Sequence, residues 1–432
     1  MALFSIFRAG TPSFDERLKQ LEHRGESDLG RVEPAVREIL NAVRAEGDDA
    51  VRRFVRQFEN RTVAELLITE YGGREALEQI APDVREAMLE AAARIRRYHE
   101  RQLEDQVSFE YEEDGIKLGS RVRALSSVAV YVPGGKATYP SSVLMTAIPA
   151  AVAGVPHIVC ATPSASPEVR AACHLAGVHA ILDAGGAQAI GALAYGTRSV
   201  PRVDKIVGPG NLYVAAAKRL VFGEVAIDSI AGPSEILVVA DDAADARIVA
   251  ADLLSQAEHD EAAYPLLVCT SMELAEAVAR ELETQLSTLP RRTIAEASVK
   301  QRGCALVVES RDALADVANR LAAEHVAIHV ADPDAMADRI ERGGALFIGD
   351  STPEAAGDYI AGPSHVLPTG GAARYSAPLG VYDFVARTSI IRYEPRALAA
   401  QGEKIKAFAR SEGLEAHARA VEVRTRARSG SA

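Results

Sequence analysis

Cysteine is scarce in this chain of 432 residues, and the four present, Cys160, Cys173, Cys269 and Cys304, lie far apart with no CxxC pair. That spacing favours buried free thiols over a thiolate metal site or a disulfide framework. Three of them sit in or beside apolar, strand-like runs, where buried free thiols are expected. Basic excess is missing too: the formal charge is -12, the opposite of a nucleic-acid footprint. The N-terminal MALFSIFRAG lacks the long apolar core of a signal peptide, and no unbroken apolar stretch approaches a membrane span. The complete dinucleotide fingerprint GxGxxG is absent; Gly208 and Gly210 begin one, but Tyr213 stands where the third glycine belongs. These absences leave a cytoplasmic protein with no nucleic-acid or membrane partner. At 48% hydrophobic and 25% charged residues it is globular, and its length calls for two or three domains.

The first third reads as helix. Val36, Ile39, Leu40 and Val43 form one apolar stripe, Val51, Phe54, Val55 and Phe58 another, and Pro82 starts a third helix with arginines outward. No chemistry is assigned to residues 1–125. From 128 short apolar runs at 128–132, 157–161, 178–182 and 203–207 alternate with helical stretches at 142–153, 167–176 and 187–194. A second series follows at 235–239, 266–269, 305–308, 325–330 and 345–348. Strands alternating with helices imply a parallel sheet, so the fold is α/β: two doubly wound, incomplete Rossmann-like domains with helical N- and C-terminal extensions. Their succession suggests a duplication. The expected segments are an arm at 1–24, a helical part of the first α/β domain at 25–127, α/β domains at 128–234 and 235–380, and a helical tail at 381–432.

Three glycine-rich turns follow strands and precede helices: 131–135, 183–188 and 208–211. Backbone amides and helix N-termini there suit phosphate, although glycines that merely permit tight turns explain them equally well. In LLSQAEHD, Gln256 and His259 are three apart, on one helical face, and offer an amide oxygen and an imidazole nitrogen to one atom. By itself this pair reads more simply as a polar helix end. Further donors come late: Glu324-His325 at the start of a strand, Asp358 and His365 in a loop region, and Glu412 and His417 in the tail. Gln, His, Asp and His make a chemically sensible zinc set, but spacing does not select them among ten histidines. His23, His99, His157, His174, His179 and His329 are read as surface or satisfied core residues.

The motifs YVPGGKATYPSSVLM, DAGGAQAIGALAYGT, VDKIVGPGNLYVAAAKR, DSIAGPSEILVVAD, LLSQAEHD, AEHVAIHV, GDYIAGPSHVLPTGG and EGLEAHARAV, in this order from about 126 to 421, closely resemble histidinol dehydrogenase. Departures are small: Ser364 stands where the family more often has Asn, and Val326-Ala327 follow the Glu-His pair. The resemblance implies a zinc- and NAD-dependent enzyme that oxidises L-histidinol to L-histidine through a bound aldehyde, reducing two NAD, in the last step of histidine synthesis. It implies Gln256, His259, Asp358 and His417 as zinc ligands, with His417 crossing from the partner of a homodimer. Ser234, Gln256, His259, His325, Asp358, Glu412 and His417 match substrate-binding positions, Glu412 also reaching from the partner and His365 matching less well. Tyr131, Gln188 and Asn211, one in each glycine-rich turn, match the NAD contacts.

Hydride loss from an alcohol needs a base for the hydroxyl proton, a role that fits neutral His325; Glu324 is placed to activate the water that adds to the aldehyde. Two other readings compete. One is a paralogous zinc and NAD dehydrogenase of another amino alcohol or diol, such as the sulfopropanediol dehydrogenases. The other is a non-catalytic, zinc-bound dimeric scaffold, against which the intact Glu324, His325 and four candidate ligands argue.

Overall fold

The computed structural model describes residues 3–24, 29–134 and 138–426; Gly135 of the first glycine-rich turn and the tail beyond Arg426 lie outside the described residues. The chain divides into two compact units, one of Met1–Gln102 with Leu125–Phe384 and one of Leu103–Ala124 with Val385–Ala432.

The larger unit carries two six-stranded sheets. The first contains β2 (Leu67–Ile68), β5 (Val128–Tyr131), β6 (Ile158–Ala161), β7 (Ala180–Leu182), β8 (Lys205–Val207) and β9 (Ala226–Ile227), ordered β2-β7-β6-β5-β8-β9. Only β2 runs antiparallel to its neighbour. The second contains β1 (Ser5–Arg8), β10 (Glu235–Ala240), β11 (Tyr264–Cys269), β12 (Cys304–Val307), β13 (His325–His329) and β14 (Ala345–Ile348), ordered β1-β12-β11-β10-β13-β14 and wholly parallel. Apart from the added edge strands β2 and β1, the order is the same: the first strand of each series is central, the second and third lie on one side, the fourth and fifth on the other. The duplication suggested by the alternating runs has its counterpart in this shared topology.

Strands such as VAVY and LLVC are apolar without alternation because both faces are covered. Cores lie on both faces of the second sheet, one around Val249, Leu253 and Leu282, the other around Leu18, Leu314 and Leu321. Local signals set the helix ends. Ser166 accepts from the Val169 amide, Pro167 opens the helix, and Gly177 closes it at φ 77°. All four cysteines are free and buried. Among the described residues no helix is long and apolar enough to cross a membrane.

The smaller unit corrects two expectations. Residues 103–124, taken with the helical third, form the hairpin β3 (Phe109–Glu113) and β4 (Ile116–Ala124), turned by Asp114 and Gly115 at φ 51° and 75°. The C-terminal segment, expected to be helical throughout, contributes β15 (Val385–Tyr393) to the antiparallel sheet β15-β4-β3 before helices Pro395–Ser411 and Glu415–Arg426. Every residue of β3 is exposed, so no half-buried alternation marks it as a strand. The first residues are also more than an arm: β1 pairs with β12, Ser5 opposite Cys304.

Candidate active site

The glycine-rich turns sit at the carboxyl ends of β5, β7 and β8, with β5 and β8 adjacent at the point where strand order reverses. Tyr131 is buried, and its hydroxyl oxygen accepts from the Gly186 amide at 3.0 Å. Burial raises its pKa and keeps the phenol neutral. Gln188, in the first turn of helix Gly186–Tyr195, is buried, with Oε1 lacking a hydrogen-bond partner. Asn211 caps helix Leu212–Val221, its Oδ1 accepting from the Tyr213 and Val214 amides. The segment to which no chemistry was assigned reaches this site. The Glu59 carboxylate accepts from the Gly185 amide at 2.9 Å and Gln188 Nε2 at 3.3 Å, and Arg61 joins Glu59 to Asp183. Lys218 Nζ donates to Gly208 O at 3.0 Å and pairs with Asp228, which accepts from the Gly208 amide.

The second cluster gathers at the opposite edge of the other sheet, where β10 and β13 begin. Ser234 immediately precedes β10, and its carbonyl accepts from Tyr264 N at the start of β11. Glu324 precedes β13, and His325 is its first residue; both are buried. His325 Nδ1 lies 2.9 Å from the Glu235 carbonyl, which can only accept, so in the neutral ring Nδ1 is the protonated nitrogen and Nε2 the one with the lone pair. Nε2 faces Asp358 Oδ1 at 4.0 Å. Glu324 Oε2 accepts from the Glu235 amide at 2.9 Å and lies 3.7 Å from His325 Nδ1. Burial pushes the Glu324 carboxyl up to about 8, with Glu235 and Glu354 adding to the rise and His325 opposing it.

Helix Ala246–Ala257 ends before His259, which lies in the following turn rather than on the helix itself; the bond from His259 N to Gln256 O at 3.2 Å keeps the two neighbours. The polar run Glu258-His259-Asp260-Glu261 offers no apolar residue to continue the buried stripe and ends the helix there. Gln256 is buried and its Oε1 has no hydrogen-bond partner. His259 is exposed at its turn, and the neighbouring protein lowers its pKa by desolvation, against the opposing charge of Asp358, which favours the neutral imidazole that can ligate. Asp358, expected in a loop, belongs to the short helix Glu354–Tyr359. The Asp358 carbonyl accepts from His365 Nδ1 at 3.0 Å, and the buried neighbour Ser364 donates to Met145 O, tying this loop to the first α/β half.

Sequence reasoning missed Glu354. It is buried, one helical turn before Asp358, and its Oε1 lies 3.6 Å from His325 Nδ1. His325, Glu354 and Asp358 each offer a ligand atom within 4.8 Å of one another, a set sharing only Asp358 with the four expected ligands. The other two already have partners: His325 Nδ1 is bonded to the Glu235 carbonyl, and Glu354 accepts from Ser255 Oγ at 3.0 Å, its pKa raised well above the ordinary value by burial. The four-residue spacing to Asp358 would have exposed Glu354 had this segment been read as helix. Glu412 and His417 belong to the smaller unit, Glu412 at the end of helix Pro395–Ser411 and His417 on helix Glu415–Arg426, and both are exposed.

The unpartnered Gln256 oxygen, the His259 imidazole, which feels the Asp358 charge, and the half-buried Asp358 carboxylate have the nitrogen and oxygen chemistry a divalent metal requires. A sheet with glycine-rich turns at its carboxyl ends, and a second sheet presenting a buried Glu-His pair, fit an oxidoreductase. The family model for histidinol dehydrogenase matches residues 22–425. Histidinol dehydrogenase of Aquifex aeolicus is 49% identical over 412 residues, covering 95% of this chain and 96% of the relative. That of Bacillus subtilis is 50% identical over 396 residues, covering 90% and 92%. The crystal structure of histidinol dehydrogenase from Elizabethkingia anophelis superposes with a TM-score of 0.91 at 31% identity, covering 99% of each chain. The chain belongs to the histidinol dehydrogenase family and is an NAD-dependent oxidoreductase.

Proposed function

We propose that this enzyme oxidises L-histidinol to L-histidine in two hydride transfers, reducing two NAD and holding the aldehyde between them. The observation that carries the reading is that Glu235, at the start of β10, ties down both candidate bases, His325 through its carbonyl and Glu324 through its amide. Gln256, His259 and Asp358 hold zinc, completed by His417 from the second copy of a homodimer, and Glu412 of that copy meets the substrate imidazole. Zinc bound there supplies a Lewis-acid anchor for the substrate's amino and imidazole nitrogens, and NAD supplies the hydride acceptor. Residues 128–234 form the NAD-binding part through Tyr131, Gln188 and Asn211, residues 235–380 hold the zinc and the bases, and residues 381–432 reach the partner. Ser234 completes the substrate contacts.

His325 Nε2, with its lone pair free, takes the hydroxyl proton as hydride leaves the alcohol carbon. Glu324 then takes a proton from the water that adds to the aldehyde. With a carboxyl raised to about 8, Glu324 is a stronger base than a surface carboxylate and still ionises near neutrality. The buried setting of both groups keeps the aldehyde from bulk water. The enzyme works in the cytoplasm, a setting that suits its four free, buried thiols.

The test is the yield of NADH per histidine formed from L-histidinol, with and without a chelator. Two NADH per histidine, lost on chelation and restored by zinc, is the expected result. Zinc-dependent NAD reduction with other alcohols but not with histidinol replaces the substrate assignment. A folded, zinc-loaded dimer without turnover overturns catalysis altogether.

A further inference from the structure

The hold of Glu235 on the two bases depends on a residue far from them in sequence. Three donors converge on its carboxylate: Arg24 Nη2 at 2.6 Å, the Gly370 amide at 2.7 Å and, more distantly, the Glu324 amide at 3.4 Å. The Arg24 and Glu235 side chains are each 1% exposed. Arg24 is fixed in turn, donating to the carbonyls of Leu21 and Leu321, both at 2.8 Å. Leu321 ends helix Arg311–Leu321, which leads into Glu324 and β13. The guanidinium therefore grips both Glu235 and the segment that delivers the bases.

We propose that Arg24 is a positioning residue for the Glu324–His325 pair, acting through Glu235. The inference rests on the base assignment made above. Its physical content is charge as well as shape. The ionisable groups facing the Glu324 carboxyl are Glu235, Glu354 and His325, two of them acidic. Glu235 meets Glu324 through reciprocal amide–carboxyl contacts, so an uncompensated charge on Glu235 opposes ionisation of Glu324. Arg24 supplies the compensating charge and, through the Glu235 carboxylate, steadies the residue whose backbone orients both bases.

The experiment compares Arg24→Met, Arg24→Lys, Glu235→Gln and Glu324→Gln in the zinc-loaded holoenzyme, following oxidation of histidinaldehyde and full turnover of histidinol against pH. Arg24→Met is expected to lower kcat for the aldehyde step about 10- to 100-fold, with KM within about twofold and zinc content unchanged. The acid limb of its kcat profile moves to higher pH, Arg24→Lys restores most of the rate, and Glu235→Gln moves the limb to lower pH. Adding Arg24→Met to Glu324→Gln slows the residual aldehyde step by less than about twofold, because in that step Arg24 acts through Glu324. A loss of thermal stability with kcat and limb unmoved makes Arg24 merely structural and overturns the proposal. Independent, multiplying losses in the double variant do the same. If Arg24→Met does not fold, the limb shift in Glu235→Gln decides: an unmoved limb overturns the proposal. An unchanged aldehyde step in Glu324→Gln instead refutes the base assignment, and this inference falls with it.

Discussion

Replacing Glu324 by Gln is expected to stabilise the metal-free protein at alkaline pH while removing the aldehyde step. The folded carboxyl titrates at about 8 against an ordinary 4.5. At about 1.4 kcal/mol per pH unit, its charged form is disfavoured by roughly 5 kcal/mol in the fold. The folded state therefore binds more protons than the unfolded chain between these values, and stability falls as pH rises through the window. Below the unfolded value the term vanishes; above the folded value it is fully present. Gln keeps the shape and an oxygen for the Glu235 amide but never ionises. Wild type and Glu324→Gln are thus expected to unfold alike near pH 4.5 and to diverge steadily up to pH 8, the variant ending several degrees higher. The assay is the thermal midpoint of chelated protein across that range. Parallel curves, or a variant destabilised at alkaline pH, refute the reasoning.

Three further outcomes follow from the same contacts. Lys218→Met leaves the buried Asp228 carboxylate without its cation and is expected to cost about 3–5 kcal/mol in urea unfolding, with a raised KM for NAD because Gly208 loses one of its ties. Gln256→Met removes a buried, unpartnered amide oxygen, so the metal-free protein gains about 1–2 kcal/mol while zinc retention in dialysis falls at least about tenfold. Gly344→Ala puts a Cβ 2.4 Å from the Glu324 carbonyl oxygen and forces that backbone aside; kcat is expected to drop about 10- to 100-fold with zinc content preserved.

The two α/β halves were legible because buried parallel strands are unbroken apolar runs and their helices carry ordinary caps. The strand Val128–Tyr131 falls within the run at 128–132, and the helix at 167–176 lies where the pattern puts it. The smaller unit was not legible, since an exposed strand such as FEYEE has no buried face to record in its sequence. In the site, the glycine-rich turns and the Gln-His and Glu-His pairs stand out locally. The groups that tune them do not. Arg24 meets Glu235 across 211 residues, and Glu59 meets Gly185 across 126, and neither carries a local signature. Glu354 was hidden by a different cause: a six-residue helix is too short for its period to register.

The pairing of β1 with β12 sets an order of events on the ribosome. Strands β2 to β9 span residues 67–227, so the first sheet has all its partners once that stretch has emerged. Ser5–Arg8 must wait for Cys304–Val307, and at about 5–20 residues per second that is roughly 15–60 s of synthesis. Through that interval the nascent chain carries Phe4, Ile6 and Phe7 without their sheet, a short apolar segment open to wrong partners. Arg24 waits as well, for Glu235 and then Leu321. Anything that anchors or crowds Ser5–Arg8 therefore threatens the last sheet to close, and the yield of folded enzyme depends on the freedom of a segment remote in sequence from Glu324 and His325.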